Sequence, residues 1–304
     1  MRFIGKDQEK IKAAAKLHVQ EVKKYIARSS EEKQKDIYRA VITLLADNSR
    51  ENDFDKYKWL ETFLLADVEK LREMKEREGI DRKYFVELYE NWFSRRESSY
   101  NALFLVKALG LKVCPYCDRN YINVVYRDMD KAERRTDQLD HFFPKGKYPM
   151  LAMCFYNLIP VCASCNLLKR ESEISMNPYE DGIEEQLYFD ACFSASNSQS
   201  GWDEENVCLH MYYTPKMRNN VEVLALNREY ELHKDTVYEI LTKAAFYDKE
   251  KKEELCRNYP LLFPNLKSVK RILYGMDFQK SSNRPLQKLY QDILRVYEQE
   301  ENGL

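Results

Sequence analysis

Glycine is scarce in this chain, with 8 in 304 residues. Long glycine-free stretches favour helices, because glycine is the residue that loosens a helix interior. No run of about 18 apolar residues occurs, so no membrane-spanning helix is expected. The start, Met1-Arg2-Phe3-Ile4-Gly5-Lys6, lacks the apolar stretch of a secretory signal. A cytoplasmic location is therefore expected, with thiols kept reduced and paired cysteines reading as metal ligands before they read as disulfides. A basic excess is missing as well: 49 Lys and Arg face 50 Asp and Glu, for a formal net charge of −1. That balance weighs against strong non-specific affinity for nucleic acid. Residues 112–172 are mildly basic, with ten Lys or Arg against seven acids. We find no internal repeat and no low-complexity segment.

At 304 residues, with 44% hydrophobic and 33% charged residues, the chain has the composition of a soluble protein of two or three domains. Apolar positions recur at helical spacing over 7–28, 31–46, 54–78 and 81–95. Residues 1–112 are thus expected to form an N-terminal helical domain whose charged runs are solvated faces, or else a surface for nucleic acid or a partner. The middle, 113–180, carries the motifs described next. Asn177-Pro178-Tyr179-Glu180-Asp181-Gly182 reads as a turn. Beyond it, 181–304 is expected to be a strand-plus-helix region available for partner docking. Its strands fall at 184–193 and 206–214, with Ser194 to Gly201 as a loop between them. A helix begins at Asn227 as N-cap, and two more lie at 265–275 and 285–299. The fold class expected is α+β, mostly helical, with a small metal-stapled core.

Two Cys-x-x-Cys knuckles, Cys114–Cys117 and Cys162–Cys165, stand about 44 residues apart. Structural zinc takes four thiolates in a tetrahedron, and each knuckle supplies two. A redox reading of Cys114-Pro115-Tyr116-Cys117 needs a helix directly after the motif. Instead Tyr121-Ile122-Asn123-Val124-Val125-Tyr126 follows, which reads as a strand. Cys154, Cys192, Cys208 and Cys256 show no ligand spacing and read as small buried apolar residues. His210 and His233 read as packed or surface histidines.

Between the knuckles lie Asp140-His141-Phe142-Phe143-Pro144-Lys145 and Asn157-Leu158. An imidazole titrates near neutral pH, so His141 suits a general base. Asp140 and Asn166 offer oxygen donors, which suit Mg2+ or Mn2+ rather than zinc. Asn166 is expected to begin a helix after the second knuckle. Lys169, three residues on and on nearly the same helical face, is placed to meet a phosphate oxygen. Lys145 and Lys147, in the intervening loop, could do the same.

Taken in order, Asp140-His141-x-x-Pro144, Asn157-Leu158, Cys162-x-x-Cys165-Asn166 and Lys169 resemble the HNH, or ββα-metal, endonuclease superfamily over residues 112–172. Its three name-giving positions fall on His141, Asn157 and Asn166, the last being Asn where many relatives have His. The resemblance implies a zinc-stapled nuclease core in which His141 is the base, Asp140 and Asn166 hold one catalytic divalent ion, and Asn157 positions the loop that carries His141. It places Asp140 and His141 at a strand end, which relieves the strand alternation that would aim them to opposite faces.

The Cys-Pro-Tyr-Cys start, the Asp-His-Phe-Phe-Pro-Lys form and the tail Arg284-Pro285-Leu286-Gln287-Lys288-Leu289-Tyr290-Gln291-Asp292 carry a narrower resemblance. It is to HNH subunits of Septu-like or retron-linked anti-phage systems, which work with an ABC/SMC-type ATPase. The expectation is a metal-dependent endonuclease acting on DNA, with RNA not excluded. The alternative is a catalytically inactive, zinc-stabilised adaptor for nucleic acid or protein. That reading needs only the cysteines and leaves Asp140, His141, Asn157 and Asn166 without a purpose.

Overall fold

The computed structural model describes residues 1–4, 8–45, 56–77, 83–128, 131–194, 202–275 and 284–302. It is mostly helical, and its described strands form three two-stranded sheets, an α+β mix. Chain contacts divide it into two compact units. One comprises Arg2–Tyr116 and Ile122–Asp181, and the other comprises Met1, Cys117–Tyr121 and Gly182–Leu304.

In the first unit, α1 (Gln8–Ile26) buries Ile11, Ala14, Ala15, His18, Val19, Val22 and Ile26, a stripe at three- and four-residue spacing. Helix α2 (Glu31–Leu45) repeats the pattern with Ile37, Tyr38, Val41, Leu44 and Leu45. Residues 54–78 do not form the single helix that periodicity suggests; 54, 55 and 78 lie outside the described residues. The segment splits into α3 (Lys56–Leu64) and α4 (Val68–Lys75). The cause is Asp67, whose extended backbone breaks the run and whose carboxylate accepts the Lys70 amide, making it the cap of the second piece. The helix expected over 81–95, of which 81 and 82 lie outside the described residues, also changes form. Helix α5 (Lys83–Leu88) widens into a π turn over Tyr89–Phe93, closed by Ser94 N–H donating to the Tyr89 carbonyl at 2.7 Å. Helix α6 (Ala102–Leu109) is capped by the Asn101 side chain and ends at Gly110, whose φ of 62° suits a residue without Cβ.

Two short hairpins follow. Strands β1 (Val124–Asp128) and β2 (Lys131–Arg135) pair antiparallel. Strands β3 (Gln138–His141) and β4 (Leu158–Val161) also pair antiparallel, with Asp140 opposite Ile159 and His141 opposite Leu158. Helix α7 (Ala163–Lys169) comes directly after β4 and packs on β3. The connection between β3 and β4 is pinned to the helical core. His18 of α1 is fully buried, its Nε2 lies 2.9 Å from the Met153 carbonyl, and its Nδ1 lies 3.2 Å from the Tyr100 hydroxyl. Phe93, Tyr100 and Phe155 surround that ring.

In the second unit, β5 (Leu187–Phe193) and β6 (Val207–Tyr213) form a regular hairpin, within the ranges that alternation suggested. Residues 183–186 wind as a 3-10 turn instead, and 195–201 of the expected loop lie outside the described residues. Helices α8 (Arg218–Val223), α9 (Leu226–Glu231), α10 (Lys234–Phe246), α11 (Lys249–Asn258), α12 (Leu266–Tyr274) and α13 (Gln287–Asn302) complete it. Asn227 is not an N-cap. The cap position is Ala225 in the left-handed region, because α9 restarts directly after α8, and Asn227 falls inside the first turn. Asn265 caps α12 through a reciprocal pair of bonds with Ser268. Helix α13 is capped from far away in sequence: the buried Asp118 carboxylate accepts the Lys288 amide at 3.0 Å. The Asp292 carboxylate of α13 accepts the Phe189 amide at 3.1 Å, which ties the helix to β5. Among the described residues, no helix is long and apolar enough to cross a membrane.

Candidate metal centre and catalytic cleft

Cys114, Cys117, Cys162 and Cys165 are all buried, and their sulfurs lie within 4.8 Å of one another. Zinc–sulfur bonds of about 2.3 Å in a tetrahedron would set the sulfurs roughly 3.8 Å apart, so the cluster fits that ion with little adjustment. The Cys162 amide points at Cys114 Sγ at 3.3 Å, and the Arg119 amide at Cys117 Sγ at 3.4 Å. Such N–H groups stabilise negative charge on sulfur, as a thiolate ligand requires. The knuckle spacing thus yields a four-sulfur group able to hold a metal such as zinc.

The other four cysteines behave differently from one another. Cys154 is buried as expected, but Cys192 is exposed and Cys208 and Cys256 are half-buried. The correction follows from placement: Cys192 and Cys208 oppose each other on one face of the β5–β6 hairpin, and Cys256 sits on charge-rich α11. His210 is exposed, and His233 accepts Arg119 Nε at 2.8 Å.

His141 is the last residue of β3, where the chain leaves the sheet. Its Nε2 lies 3.1 Å from the Ala152 carbonyl. A carbonyl only accepts, so Nε2 carries the proton and Nδ1 keeps the basic lone pair. Burial, with the positive charges of Lys145 and Lys169, lowers its pKa to about 3 against the Ala152 bond, so the ring is neutral near pH 7. The ring edge of Tyr89, from the π turn, packs against it at 4.6 Å.

Asn157 is fully buried just before β4. Its Oδ1 accepts the Phe143 amide at 2.7 Å, and its Nδ2 donates to the carbonyls of Phe143 at 3.2 Å and Leu151 at 3.0 Å. One side chain therefore fixes both ends of the connection that carries His141 and Ala152.

Asp140 is buried beside a second cation. Its carboxylate accepts the Tyr116 hydroxyl at 2.7 Å and pairs with Lys169 Nζ at 3.1 Å. Burial raises the Asp140 pKa, while Lys169 and Tyr116 oppose that shift and favour the ionised form. The Tyr116 hydroxyl is raised well above its usual range by burial and by the neighbouring carboxylate. Lys169 is fully buried and also donates to the His141 carbonyl at 2.8 Å. It therefore differs from the exposed phosphate contact that helical spacing suggested: the inward face of α7 points its ammonium at β3. Lys145 is likewise engaged, at 2.5 Å from Glu90.

Asn166 does not begin its helix. Helix α7 starts at Ala163 with Cys162 as cap, since the knuckle itself supplies the first turn, and Asn166 is the fourth residue. Asn166 Nδ2 donates to Gln138 Oε1 at 2.5 Å, which leaves Oδ1 as a free acceptor. Asn166, Asp140, His141, Tyr89, Gln138 and Arg170 all line one open cleft of about 450 Å³. Asp140 and Asn166 both bring side-chain oxygens to the lining of that cleft, the former paired with Lys169. Sequence reasoning missed Tyr89, Tyr116, Gln138 and Arg170. Tyr116 sits within the first knuckle and was open to notice there, whereas Tyr89 comes from a distant helix and carries no motif.

Compared with models of protein families, with curated proteins and with solved structures, the chain finds no match.

Proposed function

We propose that this protein is a metal-dependent endonuclease of the HNH type that hydrolyses phosphodiester bonds in DNA. The observation that carries the reading is the tautomer-fixed His141, held between the Ala152 carbonyl and the Tyr89 ring at the edge of a cleft that also presents Asp140 and Asn166.

In this reading Nδ1 of His141 takes the proton of the attacking water. The ring is neutral near pH 7, so its Nδ1 lone pair carries no proton. The imidazolium that forms loses its proton to solvent through the open cleft. Asn157 holds the loop so that the ring does not turn. Asp140 and Asn166 would hold the divalent ion, which, when bound, supplies charge stabilisation for the phosphate and the leaving oxygen. Lys169, at 3.1 Å from Asp140, already neutralises part of that carboxylate, so weak affinity for the ion is expected. The four-cysteine cluster plays no chemical part. It staples the segments before β1 and after β4, and zinc there would hold β3 and α7 in register.

The role of anti-phage effector with an ABC/SMC-type ATPase partner rests on the resemblance of the motifs alone. The lack of a basic excess fits substrate affinity that comes in part from a partner subunit or from a specific substrate structure.

The test is nicking of supercoiled plasmid by purified protein with Mg2+ or Mn2+. His141→Ala should lower the rate by about 10²–10⁴-fold while zinc content is kept and the protein still folds, with a lower melting temperature because the Ala152 carbonyl loses its partner. Full activity in that variant would remove His141 from the base role. Absence of nicking by the unaltered protein, even with its ATPase partner, would favour the non-catalytic adaptor. Cleavage of RNA but not DNA would move the substrate and keep the chemistry.

A further inference from the structure

Lys169, Lys145 and Lys147 were the cations expected at the phosphate: Lys169 pairs with Asp140, Lys145 lines the cleft but pairs with Glu90, and Lys147 is exposed and does not line the cleft. Lys169 is also fully buried. A cleft that holds a phosphodiester still needs a reachable cation. Arg170 lines the same cleft as His141 and Asn166, directly after α7. It is exposed, and its Nε donates to the Leu167 carbonyl at 3.2 Å. Its other guanidinium N–H groups meet no acceptor among the described residues. Glu171, which also lines the cleft, forms no ion pair with it there.

The backbone at Arg170 is the second observation. Its φ is 46° and ψ −122°, a conformation that glycine reaches readily and that L side chains rarely adopt. The strain is kept although glycine would remove it. The turn stops α7 after Lys169 and directs the next side chain to the cleft instead of continuing around the helix.

We propose that Arg170 is the phosphate-holding residue of the cleft, binding an oxygen pair of the substrate phosphodiester through its terminal guanidinium nitrogens. A planar fork matches two phosphate oxygens, which a lysine ammonium does not. This rests on the nuclease reading above and names the residue that would anchor its substrate.

The test uses three variants of the full protein with zinc bound: Arg170→Ala, Arg170→Gly and Arg170→Lys. Duplex DNA binding is measured in calcium over a range of salt, and nicking in magnesium or manganese. Arg170→Gly should melt at a higher temperature than the unaltered protein, because glycine relaxes the turn, yet bind about tenfold or more weakly. Arg170→Ala should show the same loss of binding without the gain in stability. In both, the slope of log affinity against log salt should shrink by about 1, the signature of one lost phosphate contact. Arg170→Lys should recover the salt slope and only part of the affinity.

Unchanged binding and an unchanged salt slope in both Arg170→Ala and Arg170→Gly would overturn the proposal. Failure of the unaltered protein to nick sinks the nuclease reading, while the binding series still decides the role of Arg170. Failure of the unaltered protein to bind either DNA or RNA even at low salt, with the ATPase partner present, overturns both.

Discussion

The first unit buries two histidines, 123 residues apart in sequence, and both bond to neighbouring carbonyls of one connection. His18 reaches the Met153 carbonyl and His141 reaches the Ala152 carbonyl. Burial lowers both, to about 4 for His18 and about 3 for His141. They differ in the other ring nitrogen. At His18 it meets the Tyr100 hydroxyl inside an aromatic shell, so every polar atom is used and the ring is a strut. At His141 it keeps a lone pair, and the residue lines an open cleft. Burial and a depressed pKa are common to both rings and do not distinguish them. An imidazole with one nitrogen anchored and the other available beside oxygen donors is what separates the two regions.

That comparison presupposes a frame that holds the connection in place, and removing the frame should have the largest effect. Cys162→Ser should abolish cooperative melting of the central block, since structural zinc supplies folding free energy on the order of 10 kcal/mol. Loss of zinc with a normal thermal transition would show that the hairpin stands without it. The next effect is the loss of nicking by His141→Ala in protein that still folds and holds zinc, read per folded molecule.

His18→Leu should do the reverse. It strands the Met153 carbonyl and the Tyr100 hydroxyl, and should cost roughly 2–4 kcal/mol of stability. Per folded molecule, nicking should stay within a few-fold. A rate loss as deep as that of His141→Ala, in protein shown to be folded, would erase the distinction between the two rings.

The smallest effect concerns pH. A folded His18 with a pKa near 4 binds fewer protons than the unfolded chain, whose histidine titrates near 6.5. Its contribution is present in full above about pH 6.5 and is lost as pH falls toward 4, amounting to roughly 3 kcal/mol across that window. Asp137 and Asp140, raised by burial, work in the opposite direction at the acid end. The useful measurement is therefore the difference between the unaltered protein and His18→Leu in denaturant titrations at several pH values. The gap should narrow on acidification, and a constant gap would mean that His18 is not protonated on unfolding.

Of the candidate site, the four-cysteine group was legible in the sequence. The Cys-x-x-Cys spacing led to a clustered four-sulfur group because two local knuckles need only one long-range closure to complete a tetrahedron. His141 at a strand end and Asn157 before β4 were also readable, since the turn-forming residues between them leave little else for that segment to do. Lys169 was misplaced for a physical reason. Helical spacing gives the angular position of a side chain but not which side of α7 meets β3, and that choice turned the ammonium inward onto Asp140. Tyr89 could not be associated with the cleft, nor His18 with the β3–β4 connection, from sequence, because their approach depends on helices packing across long separations. The break at Asp67 was concealed by apolar residues that continue in phase on either side of it.

The sequence by itself determined the helical character, the knuckles and the identity of the groups able to bind metal or move a proton, because composition, periodicity and short spacings are local properties. Only the tertiary structure decided which of those groups are spent on one another and which stay available. Partner choice among buried polar atoms is settled by packing: Lys169 goes to Asp140, His18 is closed off between two partners, and Arg170 stays open to the cleft beside His141.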